Sequence, residues 1–111
     1  MTIDELRQRI DQLDERLVEL LSERAQCALE IGKLKQTLGL DVYQPDREKQ
    51  VLHHVRTHGM HTGSPLEGDA IVRVFERIID EARRIERATA HNSARLRGDA
   101  TAGQAGNDGE D

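Results

Sequence analysis

The sequence has no tryptophan, one phenylalanine and one tyrosine, so any core it builds must be aliphatic. Its single cysteine, Cys27, excludes a disulfide framework or a Cys-x-x-Cys metal site within one chain. Basic charge is not in surplus either: 16 lysines and arginines face 21 acids, a formal charge of −5. Four of those acids, Asp99, Asp108, Glu110 and Asp111, fall between Gly98 and Asp111, a stretch without a base. Residues 1–97 are therefore close to neutral, which removes a basic nucleic-acid footprint. The N-terminal MTIDELRQRIDQLDERL lacks an apolar h-region, so no signal peptide is expected there. No apolar run reaches the roughly 20 residues of a membrane span. A soluble cytoplasmic protein of one domain is the expectation.

What the chain does have is helical periodicity. Prolines occur only at 45 and 65. Before the first, Thr2 and Glu5 fit a capping box and Gly39 fits a C-terminal stop. Alternating steps of three and four from Ile3 meet Leu6, Ile10, Leu13, Leu17, Leu20, Arg24, Cys27, Ile31, Leu34 and Leu38. All but Arg24 are apolar, a sustained heptad seam in which Cys27 reads as core. Gln44-Pro45-Asp46-Arg47-Glu48 reads as the start of a second helix, with Val51, Leu52 and Val55 as its apolar face and Gly59 as its end. A loop over His58–Gly63 follows. Ser64-Pro65-Leu66-Glu67 is a second capping-box candidate with proline at the first helical position. Ile71, Val74, Phe75, Ile78, Ile79, Ala82 and Ile85 then mark a third amphipathic helix, expected to fray after about Arg95. The predicted organisation is a domain over 1–95 and a disordered acidic tail over 96–111.

A first helix of roughly 36 residues would be about 54 Å long at 1.5 Å per residue. A compact domain of about 90 residues has a radius of gyration near 12 Å, so the rod overhangs its own domain. Its seam stays apolar along nearly the whole length. A second copy of the chain is the simplest cover, which predicts an all-α, intertwined homodimer of three-helix chains.

Charges fall where a core is expected. Arg24 interrupts the seam, and an unpaired buried guanidinium is costly. Lys35, eleven residues on, is only about 20° from the same face and lies between Ile31 and Leu38. Glu86 follows Ala82 by four and Phe75 by eleven, inside the third helix's apolar stripe. Arg7 precedes Arg24 by 17 residues, about 100° away, so the two share no pocket within one chain. Structural roles are open for each: Arg24 and Glu86 as an ion pair, Lys35 snorkelling at the core edge, Arg7 solvated. Taken together, inward cations in a nearly neutral domain point to a small anionic ligand. His53, His54, His58 and His61 raise a metal question, since His54 and His58 are spaced i, i+4, but no HExxH pattern accompanies them. No Ser-His-Asp set, phosphate loop or nucleophilic Cys motif occurs.

Leu6-Arg7, Ile10-Asp11-Gln12-Leu13-Asp14, Leu20-Leu21-Ser22-Glu23-Arg24, Ile31-Gly32-Lys33-Leu34-Lys35, Tyr43-Gln44-Pro45-Asp46-Arg47-Glu48 and Phe75-x-x-Ile78-Ile79 together resemble the all-helical (type II) chorismate mutase family over about residues 3–90. The resemblance implies an intertwined dimer of three-helix chains that rearranges chorismate to prephenate without cofactor or metal. It implies two equivalent pockets, each built by both chains. Arg24 and the other chain's Arg7 would hold the substrate carboxylates, and Lys35 would contact a carboxylate and the ether oxygen. Arg47 would line the pocket, Glu48 would bind the ring hydroxyl, and Glu86 would face the ether oxygen from the other side. No nucleic acid or membrane partner is implied, and the chain reads as a stand-alone mutase with room for association with another shikimate-pathway enzyme.

Three residues depart from family patterns. Gln44 replaces an Asp found in some members, and Ala82 replaces a hydroxyl residue. Glu86 stands where many bacterial members have Gln, and as an ionised carboxylate it would repel a developing oxyanion, so donation there requires its acid form. Two other readings compete: a related pericyclic enzyme acting on isochorismate or 4-amino-4-deoxychorismate, and a non-catalytic helical dimerisation or regulatory module.

Overall fold

A computed structural model of the chain describes residues 1–61 and 63–101. Three helices follow in order: α1 (Ile3–Leu38), α2 (Pro45–His61) and α3 (Gly68–Thr101). Helix α3 packs on both α1 and α2. The result is a slab of 65 × 33 × 15 Å, barely thicker than the 10–12 Å diameter of one helix with its side chains. A layer this thin can shield few residues from every side. Among the described residues only Ala28 and Ile79 form a buried apolar centre, joined by the buried charge of Glu86.

Each end of α1 is set by local chemistry. Thr2 Oγ1 accepts the Glu5 N–H at 3.1 Å, and Glu5 Oε1 accepts the Thr2 N–H at 2.8 Å, closing the capping box. Gly39 takes φ +71°, a left-handed conformation that glycine adopts without Cβ strain, and the Lys35 carbonyl accepts from its N–H. Between these caps the heptad seam is bare. Ile10, Leu17, Leu20 and Leu34 are each more than half exposed in the single chain. Cys27, read from the seam as core, is likewise exposed in the single chain.

The other boundaries shift. Helix α2 does not stop at Gly59 but continues to His61, so His58 is helical rather than part of a loop. Gly59 lies against α3, where a Cβ on it would meet the movable end of the Ile71 side chain. The turn comes later, with Gly63 at φ +63°. Ser64 does not cap α3, because its hydroxyl accepts the Leu66 N–H at 2.9 Å in a local turn. The helix starts at Gly68 instead, and the Glu67 carbonyl accepts the first helical bond from Ile71. At the far end α3 runs to Thr101, past the fraying point expected near Arg95; no proline interrupts that stretch. The remainder of the expected acidic tail, residues 102–111, lies outside the described residues. No described helix is long and apolar enough to cross a membrane.

The Glu5 carboxyl lies below its ordinary value, chiefly because it accepts the Thr2 backbone N–H and then through the Thr2 side chain. Its charged form is therefore favoured in the folded protein. The contribution to stability is present above the ordinary carboxylate value and is lost as pH falls through the lowered one. At neutral pH, Glu5→Gln should melt below the wild type, with the gap closing on acidification. A gap in Tm that does not change with pH would contradict this assignment.

Candidate active site

All three helices contribute to one cavity of about 400 Å³. Helix α1 supplies Arg24 and Lys35, the start of α2 supplies Arg47 and Glu48, and α3 supplies Arg83 and Glu86. Five of the six residues singled out from sequence are thus brought together. The sixth, Arg7, is exposed near the start of α1, and 17 residues at 1.5 Å each put it about 26 Å along the helix from Arg24.

The chemistry at the cavity floor follows from a close helix crossing. Gly32 of α1 faces Glu86 of α3 so closely that a Cβ there would sit 3.0 Å from the Glu86 Cα. Three residues on, Lys35 Nζ donates to Glu86 Oε1 at 2.7 Å and to the Val42 carbonyl at 3.0 Å. Glu86 is 8% exposed, so this is a charge-assisted bond in a sheltered place. The ion pair anticipated between Arg24 and Glu86 is not formed; Lys35 takes the carboxylate because it lies next to the crossing. Lys35 is anchored rather than snorkelling.

An ammonium has three donors, and Glu86 and Val42 take two. One remains for a ligand in the cavity. Arg24 is half-buried and Arg47 exposed at the rim. Among the described residues neither has a carboxylate within ion-pair distance. Uncompensated guanidiniums beside a third cation make the cavity a place where an anion gains charge-assisted bonds at little reorganisation cost.

Opposite these cations, Glu48 is gripped by Arg83. Nε of Arg83 donates to Glu48 Oε2 at 2.8 Å and Nη2 to Oε1 at 3.3 Å. Sequence reasoning missed Arg83, although it stands four residues after Ile79 and three before Glu86, on the inward face of α3. It also missed Gly32, whose signal was its place in mid-helix, where glycine costs about 1 kcal/mol against alanine and is kept for close approach. Gln44 turns its amide to the Asp41 carbonyl at 3.0 Å, so its side chain serves the α1–α2 connection. Away from the cavity, the His54 and His58 rings stack with centroids 6.4 Å apart. Among the described residues, no group of three or more potential metal ligands gathers.

A second cleft of about 400 Å³ lies between α1 and α3, lined by Val18, Leu21, Ile78 and Ile85. Its surface is almost wholly apolar. It offers an anion far less than its neighbour does, although Arg24 borders both.

Residues 6–87 match the family model for chorismate mutase type II. The chain is 42% identical over 86 residues to a bifunctional chorismate mutase/prephenate dehydratase of Pseudomonas aeruginosa, covering 73% of this chain and 23% of that protein. A protein of the same description from Neisseria gonorrhoeae is 40% identical over 90 residues, covering 78% of this chain and 24% of that one. The chain thus spans about a quarter of the length of these curated relatives. Among solved structures, the form II chorismate mutase of Thermus thermophilus superposes with a TM-score of 0.71 at 30% identity, covering 77% of this chain and 93% of that one.

The crossing at Gly32 yields a direct test. Gly32→Val places a branched side chain against α3 backbone that is already held on its other side by α2. Overpacking of this kind costs about 1–3 kcal/mol, which denaturant unfolding would read. An unchanged stability would show that α3 can move away and that the crossing does not fix Glu86.

Proposed function

The chain belongs to the chorismate mutase type II family, and from that premise we propose that it rearranges chorismate to prephenate in the cavity that holds Arg24, Lys35, Arg47, Glu48 and Glu86. The observation that carries this reading is the pair of guanidiniums without carboxylate partners beside Lys35. Chorismate is a dianion that must fold into a compact chair-like conformer before its bonds can exchange. Cations set around a cavity hold such a conformer, and positioning of this kind supplies several kcal/mol, on the order of 7 or more in favourable cases.

The rearrangement is unimolecular and pericyclic, so no nucleophile, metal or cofactor is required. As the ether C–O bond breaks, negative charge grows on its oxygen. A donor aimed there binds the transition state more tightly than the ground state and is worth about 3 kcal/mol. The remaining Lys35 donor is suited to that role. Glu86 can supply the second donor in its acid form: Oε1 goes on accepting from Lys35 while a proton on Oε2 is directed to the ether oxygen. Arg24 takes a substrate carboxylate, Arg47 adds positive potential at the rim, and Glu48 accepts the ring hydroxyl. Glu48 as an acceptor suits a donor on the substrate ring, a hydroxyl or an amine, and assays with isochorismate and 4-amino-4-deoxychorismate beside chorismate decide among the three.

One carboxylate contact is still missing from the single chain, since Arg7 is too far along α1. The bare apolar seam of α1 suggests how it is supplied. A rod with Ile10, Leu17 and Leu20 more than half exposed and a slab 15 Å thick leave a large apolar face for a second copy to cover. In our reading two chains intertwine along α1, and each lends Arg7 to the cavity of the other.

Purified protein without added cofactor should consume chorismate and form prephenate; no turnover would overturn the proposal. Arg7→Ala and Arg24→Ala homodimers should each be nearly inactive, whereas mixing them with verified subunit exchange should restore activity from one intact cavity per heterodimer. Failure to recover would argue against shared cavities.

A separate measurement addresses Glu86. Glu86→Gln, which supplies a permanent N–H donor of the same shape, should keep activity with chorismate, whereas Glu86→Ala should lose about a hundredfold in kcat. An alanine variant as active as the wild type would remove Glu86 from its role.

A further inference from the structure

We propose that Arg83 is a positioning residue that holds the Glu48 carboxylate as a fixed acceptor for the substrate's ring hydroxyl, and so selects substrates able to donate at that place. The proposal rests on the mutase reading above. Arg83 approaches Glu48 as a fork, Nε to Oε2 at 2.8 Å and Nη2 to Oε1 at 3.3 Å. A guanidinium is planar and only donates, so two-point pairing fixes the carboxylate plane in a way that a single contact cannot.

The remaining contacts of Arg83 show that it is committed to this task. Its Nη2 also meets Asp80 Oδ1 at 3.0 Å, and its guanidinium lies 5.8 Å from the Tyr43 ring centroid. Two carboxylates offset its charge, unlike the partnerless Arg24 and Arg47. It therefore adds little pull on a substrate carboxylate and acts through Glu48. The arrangement also joins α3 to the first turn of α2, so Glu48 is held by an element other than its own.

With each oxygen accepting from Arg83, Glu48 keeps further lone pairs directed elsewhere. What those oxygens can bind in the cavity is a donor, a hydroxyl or an ammonium, and not a carbonyl. Without the fork, the Glu48 side chain regains rotamers and the acceptor moves by an ångström or more, a displacement that costs between about tenfold and a hundredfold in rate.

The test measures kcat/KM for chorismate and for an analogue lacking the ring hydroxyl, in the wild type, Arg83→Met, Glu48→Gln and the double variant. The expected result is a loss of about tenfold or more with chorismate in Arg83→Met, and less than about twofold with the deoxy analogue. In the Glu48→Gln background, Arg83→Met should add almost nothing, the non-additivity of residues acting as a unit. Arg83→Lys, which keeps the charge but cannot fork, should lose activity with chorismate too, and it decides the matter if the Met variant does not fold. Equal losses on both substrates, or losses that multiply in the double variant, would overturn the proposal while leaving the mutase reading intact. A wild type inert towards chorismate would overturn both.

Discussion

At Gly32 the backbone of α1 comes so near α3 that a single added methyl group would lie 3.0 Å from the Glu86 Cα. That contact sets the rest of the site. It places a carboxylate among apolar neighbours with 8% of its surface exposed, a position that would be costly without a partner. Lys35, one turn along α1, provides the partner at 2.7 Å. The Val42 carbonyl then holds the ammonium from the α1–α2 connection, so the end of one helix, the connection and the middle of another are tied at one polar point. Where most small domains gather apolar side chains, this one gathers a salt bridge and leaves much of its apolar surface on the outside.

Two kinds of charge share the cavity. Lys35, Glu86, Arg83 and Glu48 are already paired within the chain, which keeps them oriented. Arg24 and Arg47 are not paired and supply the attraction for an anion. The division suits a reaction that needs a bound conformer and a donor at one oxygen, rather than a nucleophile or a proton relay. Orientation comes from the compensated groups, affinity from the uncompensated ones.

Much of this was legible beforehand because it depended on local chemistry or on period. The capping box of Thr2 and Glu5, the left-handed Gly39 and the proline at the start of α2 are each set by a few adjacent residues. The heptad seam announced a long helix whose apolar edge one chain could not cover, and Arg24, Lys35 and Glu86 stood out as charges on apolar faces. Arg47 and Glu48 came from the resemblance alone, since nothing in their spacing sets them apart from an ordinary acidic and basic first turn. Two of the boundary errors have one cause. Gly59 and Ser64 carry strong local signals, a stop and a cap, and in both cases packing or a competing turn overrode them: α3 lies against Gly59, and the Ser64 hydroxyl is taken by Leu66.

Helix number, the length of α1 and the presence of inward charge are properties of the sequence by itself, because they follow from periodicity and from capping groups a few residues apart. Which charge meets which is not. Lys35 and Glu86 are 51 residues apart, and Arg83 and Glu48 are 35 apart. Their pairing depends on how closely three helices approach and at what register. No pattern of residues along one helix encodes that distance; it emerges only when a glycine lets two backbones draw together and the side chains around it must find partners out of water.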